Sequence, residues 1–384
     1  MDFELGDDRI AYRELARSFA EAELAPNAAH WDEAHEFPVA TLRKAAELGF
    51  GAIYVRPESG GPGLGRLDAA LIFEELAAGC TSTAAYLSIH NMVAWMIDQF
   101  GDDAQRSRWL PDLIPMTKLA SYCLTEPASG SDAASLATRA VRDGDDYVLD
   151  GTKAFISGAG ASELYLVMAR TGAAGPKGIS CLAIEKGTPG LSFGAPERKM
   201  GWNSQPTAMV VLEGCRVPAG QRIGPEGEGF RYAMAGLDGG RVNIAACAIG
   251  TARAALERTR VYLRERRQFG TPLAEFQALR FRLADMATEL EAARLMVWRA
   301  AAALDRRAED ATLRCAMAKR FATDVAFQVC DEALQLHGGY GYLKDFPLER
   351  HVRDTRVHRI LEGTNEIMRL IIARRIIDEN AALA

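Results

Sequence analysis

EGFRYAMAGLDGGRVNIAACAIGTARAALERTRVYLRER, residues 228–266, contains no proline, and its apolar residues Phe230, Met234, Leu237, Ile244, Ala248, Leu256, Val261 and Leu263 recur mostly at steps of three and four. That spacing is the stripe of one long helix with a buried face. Two further periodic segments follow, near 273–305 and 310–337, the second closed by Gly338-Gly339 as a helix C-cap would be, and another begins after Thr364. Four helices of this length predict an antiparallel bundle.

Upstream the grammar changes, and proline marks the change: six lie in residues 1–118, seven in 119–225, and only Pro272 and Pro347 beyond. The middle third alternates short β-rich runs (147–149, 154–156, 164–168, 179–184 and 209–212) with Asp143-Gly144 and Asp150-Gly151, both hairpin-turn dipeptides. The first third is again helical, over 10–25, 39–48, 67–78, 83–100 and 104–114, with 51–55 as its one β-like stretch. Helices, then strands, then helices argue against a doubly wound sheet, in which the two alternate along the whole chain. The expected architecture is α+β: an N-terminal α-helical domain (1–118), a middle antiparallel β domain (119–225) and a C-terminal four-helix bundle (226–384).

Composition bounds the function. With 384 residues, 48% hydrophobic and 25% charged, the chain is long enough for two or three domains with a cofactor-sized cleft between them. Its net charge of −6 offers no electrostatic footprint for nucleic acid. The seven cysteines are scattered, with neither CxxC nor His-paired spacing, which points away from zinc and toward a reducing compartment. No apolar run reaches the length of a membrane span, and MDFELGDD lacks the pattern of a signal peptide, so a cytoplasmic location is expected.

Several motifs fail on inspection. The loop 60–65 (GGPGLG) has Arg66 where a dinucleotide fingerprint needs its last glycine, and no Lys-Ser or Lys-Thr follows for a phosphate loop, so a structural loop is expected. The six histidines form neither HxH nor HExxH, and no G-x-S-x-G elbow presents a serine nucleophile.

Three polar, glycine-bearing strings remain: 122–131 (YCLTEPASGS), 335–342 (QLHGGYGY) and 361–368 (LEGTNEIM). In the first, Thr125 and Ser131 offer hydroxyls, while Ala128, Ser129 and Gly130 leave backbone N–H groups accessible to a ring edge or phosphate. Phe155 and Ser157 alternate on a strand and face one side, as an aromatic wall and a hydroxyl over a ring would. Asp238 and Arg241, three apart on the long helix, share a face. Taken singly, each string also reads as a turn, a core strand or a helix start.

Together, in this order and spacing, with RRQFG (266–270) ending the long helix, the strings resemble the acyl-CoA dehydrogenase family over essentially the whole chain. The resemblance implies FAD as cofactor. Its flavin positions fall on Tyr122, Cys123, Leu124, Thr125, Glu126, Pro127, Ala128, Ser129, Gly130 and Ser131, and on Phe155, Ile156 and Ser157, where the family usually has tryptophan at Phe155. Arg266 matches the arginine that reaches the FAD diphosphate of a neighbouring subunit. Phe276, Gln277, Gln335, Leu336, His337, Gly338, Gly339, Thr364, Asn365 and Glu366 match further cofactor positions. Cofactor sharing implies a homo-oligomer, expected to be a homotetramer.

Substrate positions by the same resemblance are Ser131, Asp238, Gly239, Gly240, Arg241 and Arg374. Glu362 stands where the family's base removes the α-proton of an acyl-CoA while flavin accepts hydride from the β-carbon, and burial should raise its pKa toward the working range. Some members carry the base one residue before the helix arginine; here that residue is Gly240. The strings KAFISGAG, GPKGIS, GWNSQPT and RVHRILEG resemble members acting on isobutyryl-CoA, which implies valine catabolism and electron-transferring flavoprotein as acceptor. Butyryl-CoA or 2-methylbutyryl-CoA as substrate, an acyl-CoA oxidase, and a non-catalytic FAD-binding scaffold stay open as alternatives.

Overall fold

The structure, a computed structural model, describes residues 5–378. Six helices open the chain: α1 (Asp7–Phe19), extended by a π turn through Leu24, α2 (Ala28–Ala34), α3 (Val39–Glu47), α4 (Arg66–Gly79), α5 (Thr81–Phe100) and α6 (Asp103–Leu113). The sheet follows, with β1 (Ala120–Cys123), β2 (Arg139–Asp143), β3 (Asp146–Ser157), β4 (Leu164–Arg170), β5 (Ile179–Glu185), β6 (Leu191–Phe193), β7 (Thr207–Pro218) and β8 (Arg222–Ile223). The chain then returns to helices: α7 (Gly229–Glu265), α8 (Gln277–Asp305), α9 (Ala311–His337), α10 (Leu348–Arg356) and α11 (Asn365–Asp378). At 37 residues α7 runs about 55 Å.

The strand order is β6-β7-β3-β2-β4-β5-β8, with β1 beside β4. Pairing is mainly antiparallel, but β1 runs parallel to β4, and β2 meets β4 in parallel at Arg139 and Arg170. The β2–β3 hairpin lies between β1 and β4 in sequence and supplies the long connection that a parallel pair requires. Asp143-Gly144 forms the expected hairpin turn, whereas Asp150-Gly151 sits inside β3 at a break in register. There a β-carbon on Gly151 would come within 2.4 Å of Thr138 Oγ1, so the glycine serves packing and not a turn.

Residues 51–55 are turns, not a strand. The Ile53 N–H goes to Asn91 Oδ1 (2.7 Å), the Val55 N–H to the Ala52 carbonyl (3.1 Å), and the Ile53 and Val55 carbonyls accept from Leu64 and Gly63 (2.9 Å each), so both residues spend their backbone groups outside a ladder. The glycine loop 60–65 folds back on this turn, and a side chain on Gly61 would collide with the Val55 carbonyl.

α7, α8 and α9 pack together, α11 lies along α9, and α4 from the first third fills in against α7 and α8. One core of alanines, leucines and valines therefore runs from α1 through α9. A second joins α5 and α6 to β4 and β5 and brings the end of β1 close to the first half of α7. Among the described residues no helix is long and apolar enough to cross a membrane.

Candidate active site

The DGGR segment of α7 presents two bare backbone positions to charged side chains. A β-carbon on Gly240 would lie 2.5 Å from Glu362 Oε2 and 2.8 Å from its Cδ, so the glutamate carboxyl occupies the space of the missing side chain. Gly239 is likewise covered by the guanidinium of Arg66, which stacks on Tyr54 (3.8 Å) and Trp95 (4.6 Å). Arg241 donates from Nε to the Glu362 carbonyl (3.2 Å) and from Nη1 to Asp238 (2.6 Å), whose other oxygen accepts from Thr312 (2.6 Å).

Glu362 itself is in the left-handed region at φ 56°, followed by Gly363 at 88°. Thr364 caps α11, its hydroxyl accepting from the Ile367 N–H (3.3 Å), so Glu362 lies outside the helix cap. Its Oε2 is buried with no hydrogen-bond partner among the described residues, and its backbone N–H donates to none of them. Burial pushes the carboxyl up to about 7, against the opposing pull of Arg241 and Lys319. Tyr122 faces the same carboxylate with an unpartnered buried hydroxyl, pushed well above its ordinary range by burial and then by the Glu362 charge.

The remaining sequence-predicted residues fall into three groups. The loop after β1 is stitched by reciprocal Glu126–Ser129 backbone bonds (3.0 and 3.1 Å), and the Thr125 carbonyl accepts from Ala154 on β3 (2.8 Å). The Glu126 side chain turns into the sheet, onto buried Lys153 (2.7 Å) and the N–H groups of Ala137 and Thr138, and does not face the loop tip. Pro127, Ala128, Gly130 and Ser131 are exposed at the tip. Phe155, at φ 58° on a bulge, is 68% exposed, which leaves its ring face open.

A second cleft, about 490 Å³, is lined by Arg266, Tyr262, Gln335, Leu336, His337, Gly338 and Gly339. Arg266 makes no ion pair among the described residues and stands 5.3 Å over the Tyr340 ring. Side chains on Gly338 or Gly339 would meet only open space, so the backbone there is accessible. This cleft is remote from Glu362: Lys319, which bonds the Gly363 carbonyl, and His337 lie 18 residues apart on α9, about 27 Å along its axis.

Phe276 and Gln277 begin α8 outside this lining, and Glu366 is exposed on α11, beside Arg369. Arg374 is exposed further along α11 and is not brought to Glu362.

Sequence reading missed Lys319, Arg66 and Lys153. The signal for Lys319 was a lysine in step with Cys315, Ala316, Ala322 and Thr323 on a buried helix face.

Profiles for the N-terminal, middle and C-terminal domains of acyl-CoA dehydrogenases match residues 6–117, 121–215 and 227–377. The chain belongs to the acyl-CoA dehydrogenase family. It is 58% identical over 375 residues to the isobutyryl-CoA dehydrogenase, mitochondrial, of Bos taurus, covering 98% of this chain and 90% of the relative. Butyryl-CoA dehydrogenase from Megasphaera elsdenii superposes with a TM-score of 0.95 at 39% identity, covering 98% of this chain and all of that one. The solved structure of PigA with FAD and proline superposes equally well (TM-score 0.95, 32% identity, 98% and 99% coverage). This acyl-CoA dehydrogenase is thus an FAD-dependent oxidoreductase acting on acyl-CoA, and its open Phe155 face, accessible 122–131 tip and unpaired Arg266 fit a flavin dinucleotide.

Proposed function

We propose that the enzyme converts isobutyryl-CoA to methacrylyl-CoA, with Glu362 as the base. One observation carries the reading: a buried carboxyl oxygen without a partner, pressed against a bare helix position and poised near neutral pH. A general base is most useful when its pKa lies near the working pH and nothing else occupies its lone pair. The Glu362 N–H, which donates to no described residue, supports a role as donor to the thioester carbonyl, which would make the α-proton more acidic. Arg241 holds the Glu362 carbonyl, which anchors the peptide that follows the base, and Asp238 with Thr312 fixes Arg241. FAD, when bound by residues 122–131, Phe155 and Ser157, supplies the acceptor for the β-hydride. Glu362 would take the α-proton, and with such an acceptor at the β-carbon two electrons and two hydrogens would depart and leave a Cα–Cβ double bond.

The name of the bovine relative supports isobutyryl-CoA as the acyl substrate. Leu361 packs with Ala85, Trp202, Ile244 and Val357 beside the base, and a side chain smaller than the tyrosine of many straight-chain members supports room for a methyl on the α-carbon. The second cleft, set about 27 Å along α9 from Lys319, supports a homotetramer in which Arg266 and Gln335 to Gly339 serve a neighbour's cofactor. Electron-transferring flavoprotein is the proposed acceptor. Seven buried free cysteines fit the reducing compartment expected from the sequence. The test is turnover of the FAD-loaded protein on isobutyryl-, 2-methylbutyryl-, butyryl- and hexanoyl-CoA, with electron-transferring flavoprotein or oxygen as acceptor. Isobutyryl-CoA with the flavoprotein is expected to be best. Preference for butyryl-CoA, or peroxide at matching rates, would overturn the reading.

A further inference from the structure

Behind the base lies a second buried cation that the reaction as described does not use. Lys319 is fully buried on the inner stripe of α9, and its ammonium forms no ion pair among the described residues. It donates to the Gly363 carbonyl (2.7 Å) and to Asn365 Oδ1 (2.9 Å). Burying a cation without an anionic partner is costly, and an apolar side chain would fill the same space more cheaply, so packing alone does not account for it. What the ammonium touches does: the residue after Glu362, and the first residue of α11.

We propose that Lys319 is a positioning residue for proton abstraction, fixing the Glu362–Gly363 turn through the Gly363 carbonyl and placing positive charge behind the carboxylate. The turn needs such a hold, because two consecutive residues sit in the left-handed region and one of them is not glycine. Arg241 grips the Glu362 carbonyl from α7, and Lys319 grips the next carbonyl from α9. Asn365 extends the grip, donating to Thr323 Oγ1 (3.0 Å) and Asp324 Oδ1 (2.9 Å), so the start of α11 is tied to the same face of α9.

The charges divide the labour. The groups facing Glu362 are Arg241, Lys319, Tyr54 and Tyr122; Arg241 acts on it most strongly but is itself paired with Asp238. Those facing Lys319 are Glu362, Arg241, Asp324 and Glu366, with buried His358 feeling its charge in turn. Burial brings the ammonium down to about 7, while Glu362 opposes that fall. Neutralising position 319 therefore removes a cation that favours the ionised base, and the base must take its proton at higher pH.

This inference rests on Glu362 being the base, and the experiment separates the two. Lys319→Met, Lys319→Arg and Glu362→Gln are prepared as FAD-loaded full chains, and kcat and KM for isobutyryl-CoA are followed from pH 5.5 to 9. Lys319→Met is expected to move the acid-side midpoint of kcat/KM up by about one unit and to lower kcat at least tenfold with little change in KM, while Lys319→Arg restores the midpoint. A wild-type profile in Lys319→Met overturns the proposal, as does a shift that Lys319→Arg leaves uncorrected. Loss of FAD from both Lys319 variants would make the lysine a folding residue and overturn it too. If Glu362→Gln kept turnover, the base assignment would fall; if it is inactive while Lys319→Met behaves as wild type, only the Lys319 proposal falls.

Discussion

Gly240→Ala separates activity from stability at a single methyl group. The added carbon would sit 2.5 Å from Glu362 Oε2, 2.8 Å from Cδ and 3.0 Å from Oε1. Carbon and oxygen atoms pack comfortably near 3.5 Å, so the carboxyl must retreat by about 1 Å. It can do so, because it is the free end of a flexible side chain, and the protein should fold. Alanine is favoured over glycine inside a helix by roughly 0.8–1.0 kcal/mol, which offsets part of the strain. Misplacing a reacting group by 1 Å costs on the order of a hundredfold in rate. The expected result is a melting temperature at or above wild type, full FAD content and a kcat near one hundredth of wild type, read by flavin bleaching on mixing with isobutyryl-CoA. A variant within threefold of wild-type rate would show that the carboxyl is not lodged against Gly240 during catalysis.

Three further outcomes follow from the same geometry. Because the folded Glu362 carboxyl titrates near 7 and an ordinary glutamate near 4.5, the native state holds that proton more tightly. Its stabilising contribution is full below about pH 4.5 and is lost as pH rises through 7, whereas activity rises over the upper part of this window, and Glu362→Gln should flatten that stability slope in urea titrations. Lys153→Met leaves Glu126 without its buried cation, although the Ala137 and Thr138 N–H groups remain; a loss of about 3 kcal/mol and weaker FAD retention are expected from denaturation and cofactor absorbance. Leu361→Tyr narrows the space beside the base and should depress isobutyryl-CoA turnover more than butyryl-CoA turnover, with equal losses contradicting the specificity argument.

The long helices and strands β3, β4, β5 and β7 were legible because their periodicities of 3.6 and 2 depend only on which face is buried, whereas β1, β2, β6 and β8 were not read as strands. Residues 51–55 and Asp150-Gly151 were not legible, since their partners, Asn91 and Thr138, lie 38 and about a dozen residues away in the chain. Glu362 could be named from the resemblance of the LEGTNEIM string, which taken singly also reads as a helix start. What makes it a candidate base is its contact with Gly240, 122 positions earlier, and no local pattern encodes that contact. Arg241 was visible through its i, i+3 partner Asp238; Lys319 has no such neighbour, and its role depends on where α11 begins. The separation of the two cofactor regions likewise appears only once α9 is laid out as a rod linking them.

The central claim is that the Glu362 carboxylate takes the α-proton. Exchange of the α-hydrogen of isobutyryl-CoA for deuterium, measured by mass spectrometry beside steady-state turnover, addresses it directly in FAD-loaded Glu362→Gln. The amide keeps the shape of the side chain but cannot accept a proton, so both α-exchange and turnover should fall by 10² to 10⁴ while acyl-CoA still perturbs the flavin spectrum. A Glu362→Gln enzyme that exchanges the α-hydrogen or turns over at more than about a tenth of the wild-type rate would contradict the account, because another group would then be removing the proton.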